Sequence, residues 1–423
     1  MQREESSLTC CTRALTLAMG VVMTLACDAG TKRASSYQEK IPTGSLVEDL
    51  RIGSLDGDIP LTRVGGLLPM PDGGVWIAQP EAAAVLVVAS DGDLVRSIGR
   101  HGRGPGEFTA LGPLGPWRSA YDTIWVGDFV EARINLFTID GDFVRSFTTP
   151  SFDYTDDGFL VQLPAAFFAD GSAVSLLSYR RASASAGYPV LRYQATSATP
   201  LNEVTRVDRT DLVQVRWDSH SARGRHPIPD APLIQYGSDR VLVLERPQPT
   251  SDSLAAIAVH VMDTEGTTTW SRRYPYRPTR LPEREADSLI QARIPGFQSF
   301  VSITTPDVSP QEAAEIYRGQ VRAPAYRPAV RAAHLAPDGR IWIEWAGAPG
   351  APVHWWVLRS DGEPEVSFTV PMPLDVRGVL GDCLWVVRTD SLDVPYIHRY
   401  RLRSIEGRAA TAAAARNACM YPG

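Results

Sequence analysis

Two histidines and two arginines lie close together near the middle of the chain. His220 and His226 flank Arg223 and Arg225 in a segment that reads as a polar loop. Guanidinium and imidazolium groups at this spacing could bind an anion through charge-assisted hydrogen bonds. A solvated loop without a ligand is the alternative interpretation.

Sequence motifs of well-known enzyme classes are missing. The chain contains no Gly-x-Ser-x-Gly, no His-Glu-x-x-His and no EF-hand loop. Its two lysines, Lys32 and Lys40, precede the predicted folded region, which excludes Schiff-base chemistry on a lysine of that region. An enzyme is therefore less favoured but not excluded, and neither a catalytic residue nor a cofactor is predicted.

An apolar stretch from Ala14 to Ala26 follows Arg13 and ends at Cys27. A helix of that length spans only ~20 Å, too short for a ~30 Å hydrocarbon core, so residues 1–27 are predicted to be an export signal. The small residue before the cysteine resembles the bacterial lipobox, in which the cysteine thiol receives a diacylglycerol group. We expect Cys27 to be lipidated, with a plain secretory signal as the alternative.

The remaining cysteines fit the same cell compartment. Cys10 and Cys11 would leave with the signal, so Cys383 and Cys419 stay in the mature chain. Two cysteines in an oxidising compartment predict one disulfide, and a buried Cys383 with a free Cys419 is the alternative. Because no Cys-x-x-Cys pair occurs, a cysteine zinc site is disfavoured, and no metal site is predicted.

Composition and charge narrow the possible functions. Of 423 residues, 44% are hydrophobic and 21% are charged, so the chain can bury a core. Its 42 basic and 48 acidic residues give a net charge of -6, which disfavours binding to nucleic-acid phosphates. No segment after Cys27 approaches ~18 uninterrupted apolar residues, so a membrane is expected to be contacted only through a lipid anchor.

One short pattern recurs along the chain: an Asp-Gly turn or a similar pair, followed by a strand of alternating apolar residues. Further apolar strands and a second turn complete a unit of four strands around most copies, and such units must stack to bury both faces. The sequence therefore predicts an all-β fold, a six-bladed β-propeller. The six copies span 72–77, 121–126, 170–175, 238–243, 338–343 and 381–386. Their apolar repeat positions are Trp76, Trp125, Val174, Val241, Trp342 and Trp385, of which the tryptophans are expected in the core between blades.

The second copy, with Asp128, Arg133 and Phe137, resembles the core pattern of the NHL-like six-bladed β-propellers, in particular exported bacterial ones. The glycine-rich segment 99–106 resembles the connection between blades in that group. The resemblance covers about residues 45–405. It implies that Asp128 and Arg133 tie adjacent strands together rather than bind a ligand.

Some propeller lyases and lactonases hold a metal in the central channel, so a channel histidine is of interest. His334 lies in the strand 330–335, which precedes an Asp-Gly turn and is predicted to be the innermost strand of its blade. The corresponding strands offer no matching histidine, so a solvated or hydrogen-bonded His334 is expected rather than a metal ligand. Arg331 and His334 remain candidate ligand-binding residues.

Residues 282–328 interrupt the repeats before blade five and have helical character. Ser309 and Glu312 form a capping box, with Pro310 at the first helical position. We expect this small helical insertion either to contact a ligand or partner or to cover a blade edge.

Outside the insertion, the predicted organisation is a signal peptide at 1–27, a flexible linker at 28–44, a propeller at 45–405 and an alanine-rich tail at 406–423. Residues 45–52 read as an extra strand and are predicted to complete the sixth blade beside 396–402, because the first and last blades of a ring would otherwise leave unpaired edges.

These features predict a lipid-anchored binding or interaction module of the bacterial cell envelope, with its ligand at the rim or at the channel mouth. The partner would be a protein or a small molecule. A metal-assisted propeller enzyme, either a lyase or a lactone hydrolase, is the alternative, and a stoichiometric divalent ion that survives dialysis would favour it.

Cys27→Ser should abolish lipidation and release the protein from the membrane fraction, because serine has no thiol to carry the diacylglycerol. Labelled fatty acid followed through fractionated cells measures both effects. A wild-type protein that never incorporates the label would contradict the lipoprotein prediction.

Overall fold

The structure, a computed structural model, describes residues 41–53, 59–118, 120–149, 152–153, 159–161, 163–176, 178–179, 187–208, 212–404 and Cys419. The predicted signal peptide with Cys27, most of the predicted linker 28–44, and the predicted tail 406–423 apart from Cys419 lie outside these residues.

Within the described residues the chain forms six four-stranded antiparallel sheets. The first two sheets are β2 (Gly66–Pro69), β3 (Val75–Gln79), β4 (Ala84–Val88) and β5 (Leu94–Ile98), then β6 (Leu111–Trp117), β7 (Ala120–Asp128), β8 (Arg133–Thr138) and β9 (Phe143–Thr148). The third and fourth are β12 (Ala166–Phe167), β13 (Ala173–Leu176), β15 (Tyr188–Gln194) and β16 (Thr199–Val207), then β19 (Leu233–Tyr236), β20 (Arg240–Glu245), β21 (Ala255–Asp263) and β22 (Thr268–Tyr276). The fifth and sixth are β23 (Val330–Leu335), β24 (Ile341–Trp345), β25 (Val353–Leu358) and β26 (Pro364–Val370), then β27 (Asp375–Leu380), β28 (Cys383–Thr389), β29 (Pro395–Ser404) and β1 (Gly44–Ile52).

The sheets form a closed ring, which confirms the six-bladed β-propeller. The first strands of neighbouring sheets contact one another, as β2 does with β6 and β27, and β23 does with β19 and β27. The ring closes through β1, which pairs with β29 from Gly44 opposite Ser404 to Ile52 opposite Ile397. Asp49 reinforces this pairing, because it accepts from the Nε of Arg399 at 2.9 Å. The strand predicted to complete the sixth blade is therefore confirmed.

Strand direction places the long connections on one end of the ring. In each sheet the turn between the first and second strands lies at the same end as the junction of the third and fourth strands, which is a turn in every sheet except the sixth. These turns are short and use glycine in the left-handed region, as at Gly73 (φ 88°) and Gly339 (φ 84°). The other end holds the connections between second and third strands and those between sheets, including 99–110, 212–232 and 277–329. We call this end the insertion face.

A hydrophobic cluster fills each of the six gaps between neighbouring sheets. One residue of each second strand points towards the following sheet, and the four tryptophans among these residues are at most 2% exposed. The position predicted in the fourth sheet was wrong by one residue, because Val241 packs towards the preceding sheet and Leu242 towards the following one. The six residues are Trp76, Trp125, Val174, Leu242, Trp342 and Trp385.

The chain between β22 and β23 forms α1 (Glu283–Gln291), α2 (Ile294–Thr304) and α3 (Pro310–Gln320). The predicted cap is present, since the Oγ of Ser309 accepts from the N–H of Glu312 at 3.2 Å. If the sheets are counted from the start of the chain, the sheet that contains β1 is the first and the sheet β19–β22 is the fifth. The helices therefore follow the fifth sheet rather than precede it. The prediction placed them before blade five because it counted the sheets from β2.

The helices pack on a β-hairpin rather than on a blade edge. The hairpin consists of β17 (Leu212–Trp217) and β18 (His220–Arg225) and belongs to the connection before β19. Val215 packs against Tyr317 of α3, and Trp217 packs against Val301 of α2. The hairpin and the helices thus form an accessory layer on the insertion face, with a core of their own.

Three further short strands form a small separate sheet. They are β10 (Phe152–Asp153), β11 (Phe159–Val161) and β14 (Ser178–Tyr179).

Cys383 and Cys419 are joined by a disulfide, with their Cα atoms 5.4 Å apart. Cys383 begins β28 in the sheet that closes the ring, so the bond fixes Cys419 to that sheet. A separate observation concerns membranes: among the described residues, no helix has the length and apolar character needed to cross a bilayer.

Removal of residues 45–52 should lower the melting temperature by more than ten degrees. The deletion exposes the edge of β29 and removes Ile52 and Leu46 from two inter-sheet clusters, a loss of more than ~3 kcal/mol by the cost of deleting buried aliphatic side chains. Differential scanning calorimetry measures the change. Deletion of residues 28–40 is the matched control and should leave the melting temperature unchanged, whereas an unchanged value for the 45–52 deletion would contradict closure by β1.

Candidate functional site

His334 lies in β23, the first strand of its sheet, as predicted. Its ring stacks on Trp355 with centroids 6.1 Å apart and an interplanar angle of 16°. The Nε2 atom is buried without a hydrogen-bond partner among the described residues. Burial, with a smaller contribution from the charge of Arg331, lowers the pKa of His334 to about 4, so the imidazole is neutral at pH 7. The buried Nε2 without a hydrogen bond differs from the solvated or hydrogen-bonded histidine that the sequence predicted, because the ring packs against Trp355.

Arg331 has partners within its own part of the ring. Its Nε donates to Oε1 of Glu344 at 2.5 Å, and its Nη2 donates to the carbonyl of Leu374 at 2.6 Å. The Glu344 side chain is 1% exposed, and burial raises the pKa of this carboxyl although Arg331 opposes the effect. The arginine therefore neutralises a buried carboxylate and links two sheets near the insertion face.

The predicted polar loop with His220, Arg223, Arg225 and His226 is wrong, because the first three residues lie in the strand β18. His220 is exposed and stacks on Trp217, with ring centroids 5.8 Å apart. The Nε2 of His226 lies 2.8 Å from the carbonyl oxygen of Arg322, just after α3. His226 therefore links the chain after the hairpin to the segment after α3, and anion binding by these four residues stays a prediction.

Asp128 and Arg133 organise the glycine-rich connection before β6. The buried carboxylate of Asp128 accepts from the backbone N–H groups of Thr109 at 2.7 Å and Ala110 at 3.2 Å. Arg133 donates to the backbone carbonyl oxygens of Arg103 and Glu107, both at 2.8 Å. Both side chains are thus occupied by backbone groups of the connection.

The two chain segments that enter and leave the helices run side by side, and we call residues 279–281 and 325–327 the stem. The N–H of Leu281 donates to the carbonyl of Ala325 at 3.0 Å, and that of Arg327 donates to the carbonyl of Thr279 at 2.9 Å. The stem positions the accessory layer on the insertion face.

Side chains fasten the stem to both of its neighbours. Asp252, in the loop between β20 and β21, accepts from Arg280 at 2.6 Å and from the Tyr326 hydroxyl at 3.0 Å. The bond from Arg280 is the main reason that the pKa of Asp252 lies below its usual value. On the other side, Arg327 makes a two-pronged ion pair with Glu285 of α1.

A cavity of about 790 Å³ opens beside the stem, between the sheet β19–β22 and the sheet β23–β26. We call it the stem cavity. Its walls come from strand ends at the insertion face and from residues just before β1. The residues that line it include Thr43, Asp252, Ser253, Tyr276, Arg277, Thr279, Arg327, Trp345, His354, Trp356, Ser367 and Thr369.

Aromatic rings form one wall of the stem cavity. Trp345 packs edge-on against Trp356 with centroids 4.8 Å apart and lies 6.1 Å from the ring of Tyr276. The Nε1–H of Trp345 is buried and has no acceptor among the described residues. A buried donor without a hydrogen bond destabilises the protein by ~1–3 kcal/mol, and a hydrogen bond to an oxygen of a bound molecule would offset that loss.

The polar side of the stem cavity is rich in donors. Arg277 is exposed at the cavity and has no acidic partner among the described residues. Arg327 has an Nε atom that is buried without a partner, although its terminal nitrogens bind Glu285. Asp252 is the carboxylate of this wall, and its oxygens are already bonded to the stem. The cavity therefore combines a flat apolar wall with excess positive charge.

The stem cavity was not predicted from the sequence. The adjacent tryptophans Trp355 and Trp356 are a signal that the sequence does carry, because adjacent strand residues face opposite sides of a sheet. In the structure the two tryptophans belong to different inter-sheet clusters. Tyr276 and Arg277 carry no local pattern that distinguishes them from other residues at a strand end.

The residues that the structure describes contain no group of three or more His, Cys, Asp or Glu side chains arranged to hold a metal ion.

No protein-family model matches the chain, and no curated protein matches it. Among solved structures, a Bacteroides fragilis protein whose name proposes export is 10% identical with a TM-score of 0.46, over 86% of this chain and 96% of that one. A DUF4221 family member from Bacteroides vulgatus is 10% identical with a TM-score of 0.46, over 86% and 100%. The PQQ-bound aldose sugar dehydrogenase of Streptomyces coelicolor is 13% identical with a TM-score of 0.40, over 86% and 99%. Similarities this distant give no information about function, so function must be inferred from the residues of this chain.

Acidification should destabilise the protein through His334. Its pKa is about 4 in the folded state, against 6.5 for an unperturbed histidine, so the unfolded chain binds a proton between these pH values that the folded chain does not. Stability from this group is complete above pH 6.5 and falls by up to about 3 kcal/mol towards pH 4, less where water screens the ring. Urea unfolding at pH 7 and pH 5 measures the loss. His334→Gln should lose less free energy of unfolding between pH 7 and pH 5 than wild type does. The exposed His101 is the control, and His101→Gln should lose as much as wild type. Equal losses in all three proteins would contradict the assignment to His334.

Proposed function

We propose that this protein is an exported, lipid-anchored binding protein of the bacterial cell envelope, and that its ligand enters the stem cavity. The observation that carries the proposal is the cavity of about 790 Å³, whose lining includes Trp345, Tyr276 and an arginine, Arg277, that lacks an acidic partner among the described residues. Small-molecule sites are typically concave, ~300–1,000 Å³ in volume, and apolar with a few polar groups that fix orientation. The stem cavity has these properties.

The proposed cell location has independent support from covalent chemistry. Residues 14–26 and Cys27 have the order of an export signal with a lipidation site. The two cysteines expected to remain after processing, Cys383 and Cys419, form a disulfide. Disulfides of this kind persist in oxidising compartments and are rare in the cytosol.

The proposed anchor joins the chain close to the cavity. Ile41 packs against the cluster between the two cavity sheets, and Thr43 lines the cavity. Cys27 and Ile41 are 14 positions apart, and a chain of that length reaches at most ~50 Å. A lipid on Cys27 would therefore keep the stem cavity within that distance of the membrane surface.

Trp345→Ala should weaken ligand binding while the propeller stays folded. Loss of the central aromatic ring removes a stacking contact worth ~1 kcal/mol or more, so affinity should fall at least about fivefold. The measurement is a thermal-shift and tryptophan-fluorescence screen of maltotriose, diacetylchitobiose, trigalacturonic acid and the dipeptide Gly-Glu. At least one probe at saturating concentration should raise the melting temperature of wild type by a few degrees.

Trp270→Ala is the matched control for this experiment. Trp270 lies in β22 at the opposite end of the same two sheets, where its Nε1 donates to the carbonyl of Ser360 at 2.8 Å. This variant should retain the response of wild type. If no probe shifts wild type, or if the Trp345 and Trp270 variants respond alike, the stem cavity is not the binding site.

A further inference from the structure

The stem cavity offers hydrogen-bond donors in excess of free acceptors. The indole N–H of Trp345 and the Nε–H of Arg327 are buried without partners among the described residues. Arg277 contributes further donors at the opening. The carboxylate of Asp252 is engaged by the stem, so it does not balance these groups. A molecule that satisfies this wall must bring acceptors.

The charge of the cavity wall is positive once internal ion pairs are removed. Arg327 is balanced by Glu285, and Asp252 is balanced by Arg280. Arg277 is the arginine of the wall without an acidic partner among the described residues. Arginine binds carboxylate oxygens in pairs with good geometry, so the matching charge on a ligand is a carboxylate.

The remaining wall combines aromatic rings with hydroxyl groups. Trp345 and Tyr276, backed by the buried Trp356, offer flat apolar surfaces against which the CH face of a sugar ring can lie. Thr43 and Thr279 offer hydroxyls to a polyhydroxylated molecule. The hydroxyls of Ser253, Ser367 and Thr369 already bond Ser251, Pro42 and His354, and each can take part in a further hydrogen bond.

We infer that the stem cavity binds an acidic saccharide, with a uronate carboxylate on Arg277 and a sugar ring against Trp345. This inference rests on the proposed function and adds the chemical class of the ligand. A uronate unit satisfies the donors, the uncompensated charge and the aromatic wall at once. A peptide carboxylate would satisfy the charge alone and would leave the hydroxyl groups unused.

Calorimetric titration of the full mature chain with trigalacturonic acid and with its methyl ester tests the inference. The two probes have the same rings and differ in charge, so wild type should bind the acid at least tenfold more tightly. Arg277→Ala should lose at least tenfold for the acid and keep its affinity for the ester. Arg284→Ala, which removes an exposed arginine of α1 outside the cavity, is the matched control and should behave as wild type.

A second titration with a hyaluronan tetrasaccharide distinguishes a galacturonate from a glucuronate source. Binding of either acid with dependence on Arg277 supports the inference. It is overturned if acid and ester bind equally, if Arg277→Ala has no effect, if Gly-Glu binds through Arg277 in place of both saccharides, or if neither acid binds. In the first three cases the proposed binding function would stand, because a ligand still occupies the cavity. In the last case the Trp345 screen decides separately whether the cavity binds anything.

Discussion

Every sheet of this propeller has two apolar faces and must bury both against other sheets. In β3 all five residues are buried, and none of the helices that the structure describes covers either side of the sheet β2–β5. The hydrophobic effect can therefore be satisfied only by a sheet on each side, which requires a closed ring. The large side chains at the centres of these contacts, such as Trp76 and Trp342, bury much apolar area per residue and fix the spacing between sheets.

A ring held together in this way restricts where the sequence can vary. Insertions inside a gap would separate two sheets, and the short Asp-Gly turns at one end leave little room for additional chain. The connections at the insertion face are free of both restrictions, so they carry the accessory layer and the stem. The cavity arises where the stem meets the gap between the sheets β19–β22 and β23–β26, and its aromatic wall is the outer end of an inter-sheet cluster. Candidate binding groups thus stand on rigid strand ends, which favours a preorganised site.

Local sequence patterns were sufficient to predict the ring, but they were not sufficient to predict the site. Asp-Gly turns and alternating strands are short-range signals, and they were enough to predict the six sheets and the strand that closes the ring. The hairpin β17–β18 was missed because its turn uses Asp218 with φ of 48° and contains no glycine. The stem cavity was missed because Tyr276 and Trp345 come from different sheets, and only the packing of those sheets brings them together. The N-cap at Ser309 is local, and this half of the predicted capping box is confirmed.

The position of the chain ends has a topological consequence. Gly44 pairs with Ser404 at the place where each other sheet has the turn between its third and fourth strands. The folded backbone is therefore a circle that is interrupted at one turn, and the interruption is not required by the packing. A circular permutant that joins Ser404 to Gly44 through a tight turn, and opens instead in an exposed connection of the insertion face, would preserve every strand pair and every gap between sheets. In such a molecule the pairing of β1 with β29 would become a local hairpin, and the longest-range contact in the fold would move to whichever sheet was opened.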